Sequence, residues 1–275
     1  MSGAIHPAIS VNTLCLPVAG LPVLADQVAA LGVSGISPTL EQVTACGPAI
    51  AAQILHGAGL VVATLTHRAF AFSEPTEIEA ARDRMLRTIE IAHAITARSI
   101  TFTTGGRGNL NWPEAADRFV AAIAPCAETA KAAGVKLSLE PTSHLYADAS
   151  IAHRLTDAMT LVRRAGIHLG IDLFACWFDS DIETAIADGA GQAALVQVSD
   201  YMAGDRALPC RSVPGDGIIP LERLIPLIHA TGFNGHYDIE IFGPRVSAEG
   251  ELAALARAVM QLNALISEPS RDLAS

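Results

Sequence analysis

Positive charge is scarce in this chain: 18 Lys and Arg stand against 28 Asp and Glu, a formal net charge of -10. Nucleic-acid surfaces neutralise phosphates with clustered Lys and Arg, so this balance argues against DNA or RNA as a partner. Long apolar runs are also missing, since none reaches the ~18 residues that span a bilayer. The start, Met1-Ser-Gly-Ala-Ile-His-Pro, has neither the basic nor the apolar segment of a secretory leader. Cysteine is sparse and scattered: Cys15, Cys46, Cys126, Cys176 and Cys210 form no CxxC pair, which leaves no disulfide framework and no zinc knuckle. They read as small thiols in a reducing cytosol, so the expected location is cytoplasmic. Charged residues make up only 17% of the 275 residues and hydrophobic ones 51%, enough for a large core. The length sits where an α/β barrel forms one domain.

Strand-like and helix-like segments alternate along the whole chain. Strands are expected at Ala8-Ile-Ser-Val-Asn12, Gly35-Ile-Ser, Leu60-Val-Val-Ala-Thr-Leu65 and Ser99-Ile-Thr-Phe-Thr103. Four more follow at Val135-Lys-Leu-Ser-Leu-Glu140, His168-Leu-Gly-Ile-Asp172, Ala194-Leu-Val-Gln197-Val-Ser-Asp200 and residues 235–241. Between them, helices are expected over residues 21–31, 41–58, 75–97, 113–133, 150–165, 181–187, 221–230 and 248–266. A long loop covers 201–217, and 267–275 is a polar tail. Eight strand–helix units over residues 1–266, with no composition break, predict one (β/α)8 TIM barrel. The rival, an open doubly wound sheet, carries a Gly-rich phosphate fingerprint after its first strand, and Asn12-Thr-Leu-Cys-Leu-Pro has none.

Four of these strands end in an oxygen-bearing side chain: Glu140, Asp172, Gln197 and Glu240. In a barrel the carboxyl ends of the strands converge on one mouth, so the four face each other. Three carboxylates crowded there repel one another unless a cation lies between them. A divalent metal resolves the conflict, and oxygen donors favour hard ions such as Mg or Mn. The metal would polarise a substrate carbonyl and steady an enediolate, while Glu140 and Glu240, far apart around the barrel, remove and return a proton. The plain alternative is four strand-end polar residues that cap helices or pair with Arg.

The segments Leu139-Glu140-Pro, Gly170-Ile-Asp172-Leu-Phe, Val196-Gln197-Val-Ser-Asp200, Pro214-Gly-Asp-Gly217 and Asp238-Ile-Glu240 resemble the xylose isomerase-like TIM barrels, often labelled sugar phosphate isomerases/epimerases. The resemblance spans nearly the whole chain. It implies one divalent ion (Mn, Mg, Co or Zn) on Glu140, Asp172, Gln197 and Glu240, with the two glutamates as acid and base. Two departures stand out. The third ligand is more often His in that family, and many members carry a His where this chain has Ala175. The two-metal ligand set of classical xylose isomerases and the His-rich three-zinc site of the related apurinic endonucleases are not found.

The loop Arg211-Ser-Val-Pro-Gly-Asp-Gly resembles the family's loop after the seventh strand, and its guanidinium would bind substrate or fix the loop through Asp216 or Asp200. His67, after the third strand, and His144, four residues past Glu140, are substrate-binding candidates, with a structural role as the alternative. Trp177 and Phe70 are candidate apolar walls for a sugar ring, Gly105-Gly-Arg-Gly an anion cradle, and Arg245 a weak substrate or interface residue. The expected activity is metal-dependent isomerisation or epimerisation of a sugar or small hydroxy-ketone. The alternatives are a lyase or dehydratase that begins with the same proton abstraction, and a noncatalytic sugar-binding or partner subunit. A homodimer is possible on the family resemblance.

Overall fold

The computed structural model describes residues 4–267, so most of the expected polar tail lies outside the described residues. Its main sheet contains β1 (Ile9–Asn12), β2 (Gly35–Ser37), β3 (Val61–Val62), β4 (Leu65–Thr66) and β5 (Ser99–Phe102). It continues with β6 (Lys136–Leu139), β7 (His168–Asp172), β8 (Ala193–Val198) and β11 (His236–Ile239). The strand order is β3-β2-β1-β11-β8-β7-β6-β5-β4, with every pairing parallel. The first and last members of that order are two halves of one barrel strand. β3 pairs with β2, β4 pairs with β5, and a parallel bridge from Thr39 to Thr66 closes the ring. The chain is a (β/α)8 TIM barrel.

The alternation of side chains along each strand decides what lines the barrel. On β1, Ile9 and Val11 are fully buried and belong to the apolar core, while Ser10 and Asn12 hydrogen-bond to Asp238 on the adjacent β11. Ser37 from β2 joins the same carboxylate, and Thr64 meets Thr101 at 2.8 Å. The same parity continues along Ser138 and Glu140, Gly170 and Asp172, Leu195 and Gln197, and Asp238 and Glu240. Gly170 keeps room for this arrangement, because a Cβ there would lie 3.0 Å from Ser138 Oγ and 3.4 Å from Glu140 Cβ.

Around the barrel run α1 (Leu21–Ala30), α2 (Leu40–Cys46), α3 (Pro48–Gly57), α4 (Pro75–Ala94), α5 (Trp112–Ala132) and α6 (Leu155–Ala165). They are followed by α7 (Leu173–Cys176), α8 (Ile182–Gly189), α9 (Leu221–Ala230), α10 (Pro244–Glu249) and α11 (Glu251–Ser267). Local chemistry fixes many of their ends. Thr39 with Gln42, and Asn111 with Glu114, form capping boxes that open α2 and α5. Gly166, at φ 67, closes α6 in the left-handed region.

Several expected elements differ from those observed. The helix expected over 41–58 is two helices, broken where Gly47 takes φ 84 and Pro48 begins the next. Proline has no N–H to continue a helix. The helix expected over 248–266 is likewise preceded by a separate α10, with Gly250 at φ 96 between them. The helix expected from 150 begins only at Leu155, because the Ser150–Ala152 backbone is engaged by Thr104 and Ser150 side chains. Inside the expected 201–217 loop lies an antiparallel pair, β9 (Asp200–Tyr201) with β10 (Arg211–Ser212).

Candidate active site at the carboxyl ends of the strands

Parallel register places the key side chains next to one another. Asp172 on β7 pairs with Gln197 on β8, which pairs in turn with Asp238 on β11, two residues before Glu240. Glu140 follows β6, its N–H donating to Phe102 O at 3.2 Å, and Glu240 follows β11, its N–H donating to Val198 O at 3.1 Å. Gln197 Nε2 donates to Glu240 Oε2 at 2.9 Å. The expected quartet is therefore brought together, and Glu140, Asp172 and Glu240 open on a cavity of about 320 Å³.

The cation among them is Arg211. Its guanidinium donates to Asp172 Oδ2 at 2.6 Å and Oδ1 at 3.1 Å, to Ser199 Oγ at 3.1 Å, and lies 3.1 Å from Glu240 Oε2. The rings of Phe174 and Phe242 lie 4.6 and 5.5 Å from its central carbon, a cation–π setting. Neither Asp216 nor Asp200 is its partner. Asp216 pairs with Arg257 at 2.7 and 2.9 Å. Asp200 accepts instead from the N–H groups of Tyr201, Gly215, Gly217 and Ile219, which latches the Pro214-Gly-Asp-Gly217 turn onto β9. Gly217 is required there, since a Cβ would sit 2.3 Å from both Asp200 Oδ1 and Tyr201 O.

Crowding shows in the protonation equilibria. Burial, reinforced by Glu240 and Asp172, pushes the Glu140 carboxyl well above its usual range. Burial also moves Glu240 up to about 7, although Arg211 opposes the shift. Burial opposes the charge of Arg211, but Asp172 and Glu240 outweigh it and hold the guanidinium above its ordinary value. Two buried oxygens in this group, Glu140 Oε2 and Gln197 Oε1, have no hydrogen-bond donor. Unpaired buried acceptors are costly, and here they belong to the expected metal ligands. As the side chains stand, no three His, Cys, Asp or Glu among the described residues are grouped as a metal cage requires.

The other expected site residues lie elsewhere. His67 is buried with Nδ1 3.1 Å from Thr88 Oγ1 on α4, and burial moves its pKa down to about 4. His144 sits on an exposed turn whose neighbours Ser143 and Tyr146 line the cavity while it does not. Trp177 stacks edge-on against Phe178 at 5.0 Å and lines a separate surface groove. Phe70 is a core residue against Phe119, and Arg245 lies 3.6 Å from Asp205. The Gly105 and Gly106 N–H groups donate to Ala149 O and Asp148 O, so that loop is no open anion cradle.

Sequence reasoning missed Ser199, Phe242 and Asn12. Asn12 Nδ2 lies 3.4 Å from Asp238 Oδ2 and 3.5 Å from Glu240 Oε1, tying the first strand to the site. Its place as the polar last residue of a strand was the available signal.

The sequence profile described as "Xylose isomerase-like TIM barrel" matches residues 25–262. The chain belongs to that family. Solved structures share the fold. A protein designated SMc04130 from Sinorhizobium meliloti 1021 is 26% identical, with a TM-score of 0.86 over 94% of this chain and 98% of that one. A structure titled L-ribulose 3-epimerase is 18% identical, with a TM-score of 0.81 over 95% of each chain. The IOLI protein, titled as binding a zinc atom, is 15% identical, with a TM-score of 0.83 over 96% of this chain and 99% of that one. At the two lower identities the likeness is one of fold. No curated protein sequence matches the chain.

Proposed function

We propose that this xylose isomerase-like barrel is a divalent-metal-dependent isomerase or epimerase of an uncharged ketose or small hydroxy-ketone. The observation that carries the reading is the quartet Glu140, Asp172, Gln197 and Glu240 at one mouth, two of whose buried oxygens have no donor. Such a donor set suits a hard divalent ion, Mn or Mg before Zn, because the neutral Gln197 amide replaces a stronger nitrogen ligand. When bound, the ion supplies Lewis acidity that makes the C–H beside a substrate carbonyl more acidic.

The protein's own groups do the rest. Glu140 follows β6 and Glu240 follows β11, and β7 and β8 lie between those strands in the sheet order. Two carboxyl groups set apart in this way reach opposite faces of a substrate carbon. One removes the proton as a carboxylate and the other, protonated, returns one from the far side, which inverts that carbon. Thr142, Ser143 and Tyr146 line the cavity and offer hydroxyls to a polyol, while Phe174, Phe242, Leu208 and Pro209 supply its apolar wall.

Charge favours an uncharged substrate. The cavity lining holds three carboxylates and a single guanidinium, which is already shared by Asp172 and Glu240. With Arg211 held in these pairs, a phosphate or carboxylate would meet no unpaired side-chain cation there. No helix among the described residues is long and apolar enough to cross a membrane, and all five cysteines are free thiols.

The test is a screen of free and phosphorylated ketoses by NMR with Mn-loaded protein. Conversion of a free ketose to an isomer or epimer, abolished in Glu140→Gln and Glu240→Gln, supports the reading. Elimination products would replace it with a lyase activity. Ketose binding alike in wild type and both variants, with no turnover by any of the three, would replace it with a binding role.

A further inference from the structure

Asp172 has both carboxylate oxygens committed to Arg211, at 2.6 and 3.1 Å, and Glu240 Oε2 is shared between Arg211 and Gln197 Nε2. An ion held jointly by the quartet needs oxygens that this guanidinium already holds. The side chains are deeply placed, with Arg211 12% exposed, Asp172 6% and Glu240 8%, so the pairing is little screened by solvent. Arg211 is also seated rather than dangling, since Ser199 Oγ takes one of its N–H groups and Phe174 and Phe242 flank its plane. Its backbone is fixed by β10 pairing with β9 and by the Asp200 latch, so the freedom to move belongs to the side chain.

On the reading that the quartet holds a metal, we propose that Arg211 is a built-in competing cation. It closes on Asp172 and Glu240 in the metal-free protein and must release at least one Asp172 oxygen before the ion can be held. The contrast within the quartet fits this account: oxygens facing the guanidinium are paired, while Glu140 Oε2 and Gln197 Oε1 are not. The guanidinium pairs directly with Asp172 and Glu240 but makes no direct contact with Glu140, whose Oε2 is left for a divalent ion. The fork geometry matters as much as the charge, because a lysine ammonium cannot hold both oxygens of one carboxylate in the same planar way. Arg211 therefore lowers metal affinity while balancing the charge of Asp172 and Glu240.

Isothermal titration of Mn2+ into chelator-stripped protein tests this with three proteins: wild type, Arg211→Gln and Arg211→Lys. Competition predicts one ion per chain in each, bound at least about ten-fold more tightly by Arg211→Gln than by wild type, with Arg211→Lys also tighter. A purely through-space charge effect leaves Arg211→Lys equal to wild type and overturns the competition. Equal or weaker binding by both variants overturns it as well. Arg211→Lys also serves if Arg211→Gln does not fold without metal. If no protein binds Mn2+, the metal reading fails and this inference fails with it, whereas equal binding by all three defeats the inference alone.

Discussion

Removing either partner of the Asp172–Arg211 pair should destabilise the metal-free protein, but by unequal amounts. In Arg211→Met, Glu140, Asp172 and Glu240 lose the guanidinium that their lining provides. Breaking a buried pair by deleting one partner costs about 3–5 kcal/mol. At roughly 2 °C per kcal/mol for a chain of this size, the melting temperature falls by about 6–10 °C. Asp172→Asn also breaks the pair, yet it removes a like charge that raises Glu140 and Glu240, and it leaves Arg211 beside Glu240. Its loss should be no more than about half as large on the same scale. The pH dependence follows from the raised glutamates. A carboxyl whose folded-state pKa is raised binds protons preferentially in the folded protein, so its penalty is full above that pKa and fades as pH falls through it. Glu240 lies near 7 even with Arg211 in place. The gap between Arg211→Met and wild type should therefore narrow from pH 8 to pH 5.5. Thermal melts followed by circular dichroism with chelator present read both effects. Arg211→Met as stable as wild type, or a gap that widens toward acid, would refute the electrostatic account.

Three other perturbations test separate parts of the structure. His236, buried at the start of β11, has its pKa lowered by burial to about 4, so the unfolded chain takes up its proton first and stability is lost as pH falls from about 6.5 to about 4. His236→Gln should escape about 2.5 kcal/mol of that loss, read from denaturant unfolding at pH 7 and 4.5; an unchanged pH slope would contradict the assignment. Asn12→Ala, which removes the link to Asp238 and Glu240, should lower metal affinity or turnover about ten- to a hundred-fold without unfolding the barrel, measured by titration and kinetics. Gly217→Ala should cost about 1–3 kcal/mol by overpacking against Asp200 and Tyr201, and a melt unchanged from wild type would show that the turn is not so confined.

The sequence announces the barrel through short apolar strands with oxygen-bearing ends, because a (β/α)8 fold repeats one local pattern around the ring. Glu140, Asp172, Gln197 and Glu240 were legible for the same reason: each is a strand-end residue, and the fold alone brings such residues together. What stayed hidden was either brief or distant. β9 and β10 are two residues each, too short for an alternation to register, and the strand expected at 60–65 gave no sign of its division into β3 and β4. The break at Gly47 and Pro48 was written in the chain but was read as the interior of one helix. Arg211 was singled out, but its partners Asp172 and Glu240 lie 39 and 29 residues away, and local reading offered only Asp200 and Asp216. His67 follows a strand, as a mouth residue would, yet turns to Thr88 on α4, a choice made by packing rather than position.

The central claim is that Glu140 and Glu240 work as a proton-transfer pair across one cavity. Solvent-deuterium exchange tests it most directly: Mn-loaded protein is incubated with a free ketose in D2O and followed by proton NMR. Wild type should wash deuterium into the carbon beside the carbonyl as the epimer forms. Glu140→Gln and Glu240→Gln should each abolish epimer formation, while at least one still exchanges on a single face. Epimer formation without deuterium incorporation, or unimpaired epimerisation in either variant, would contradict the account.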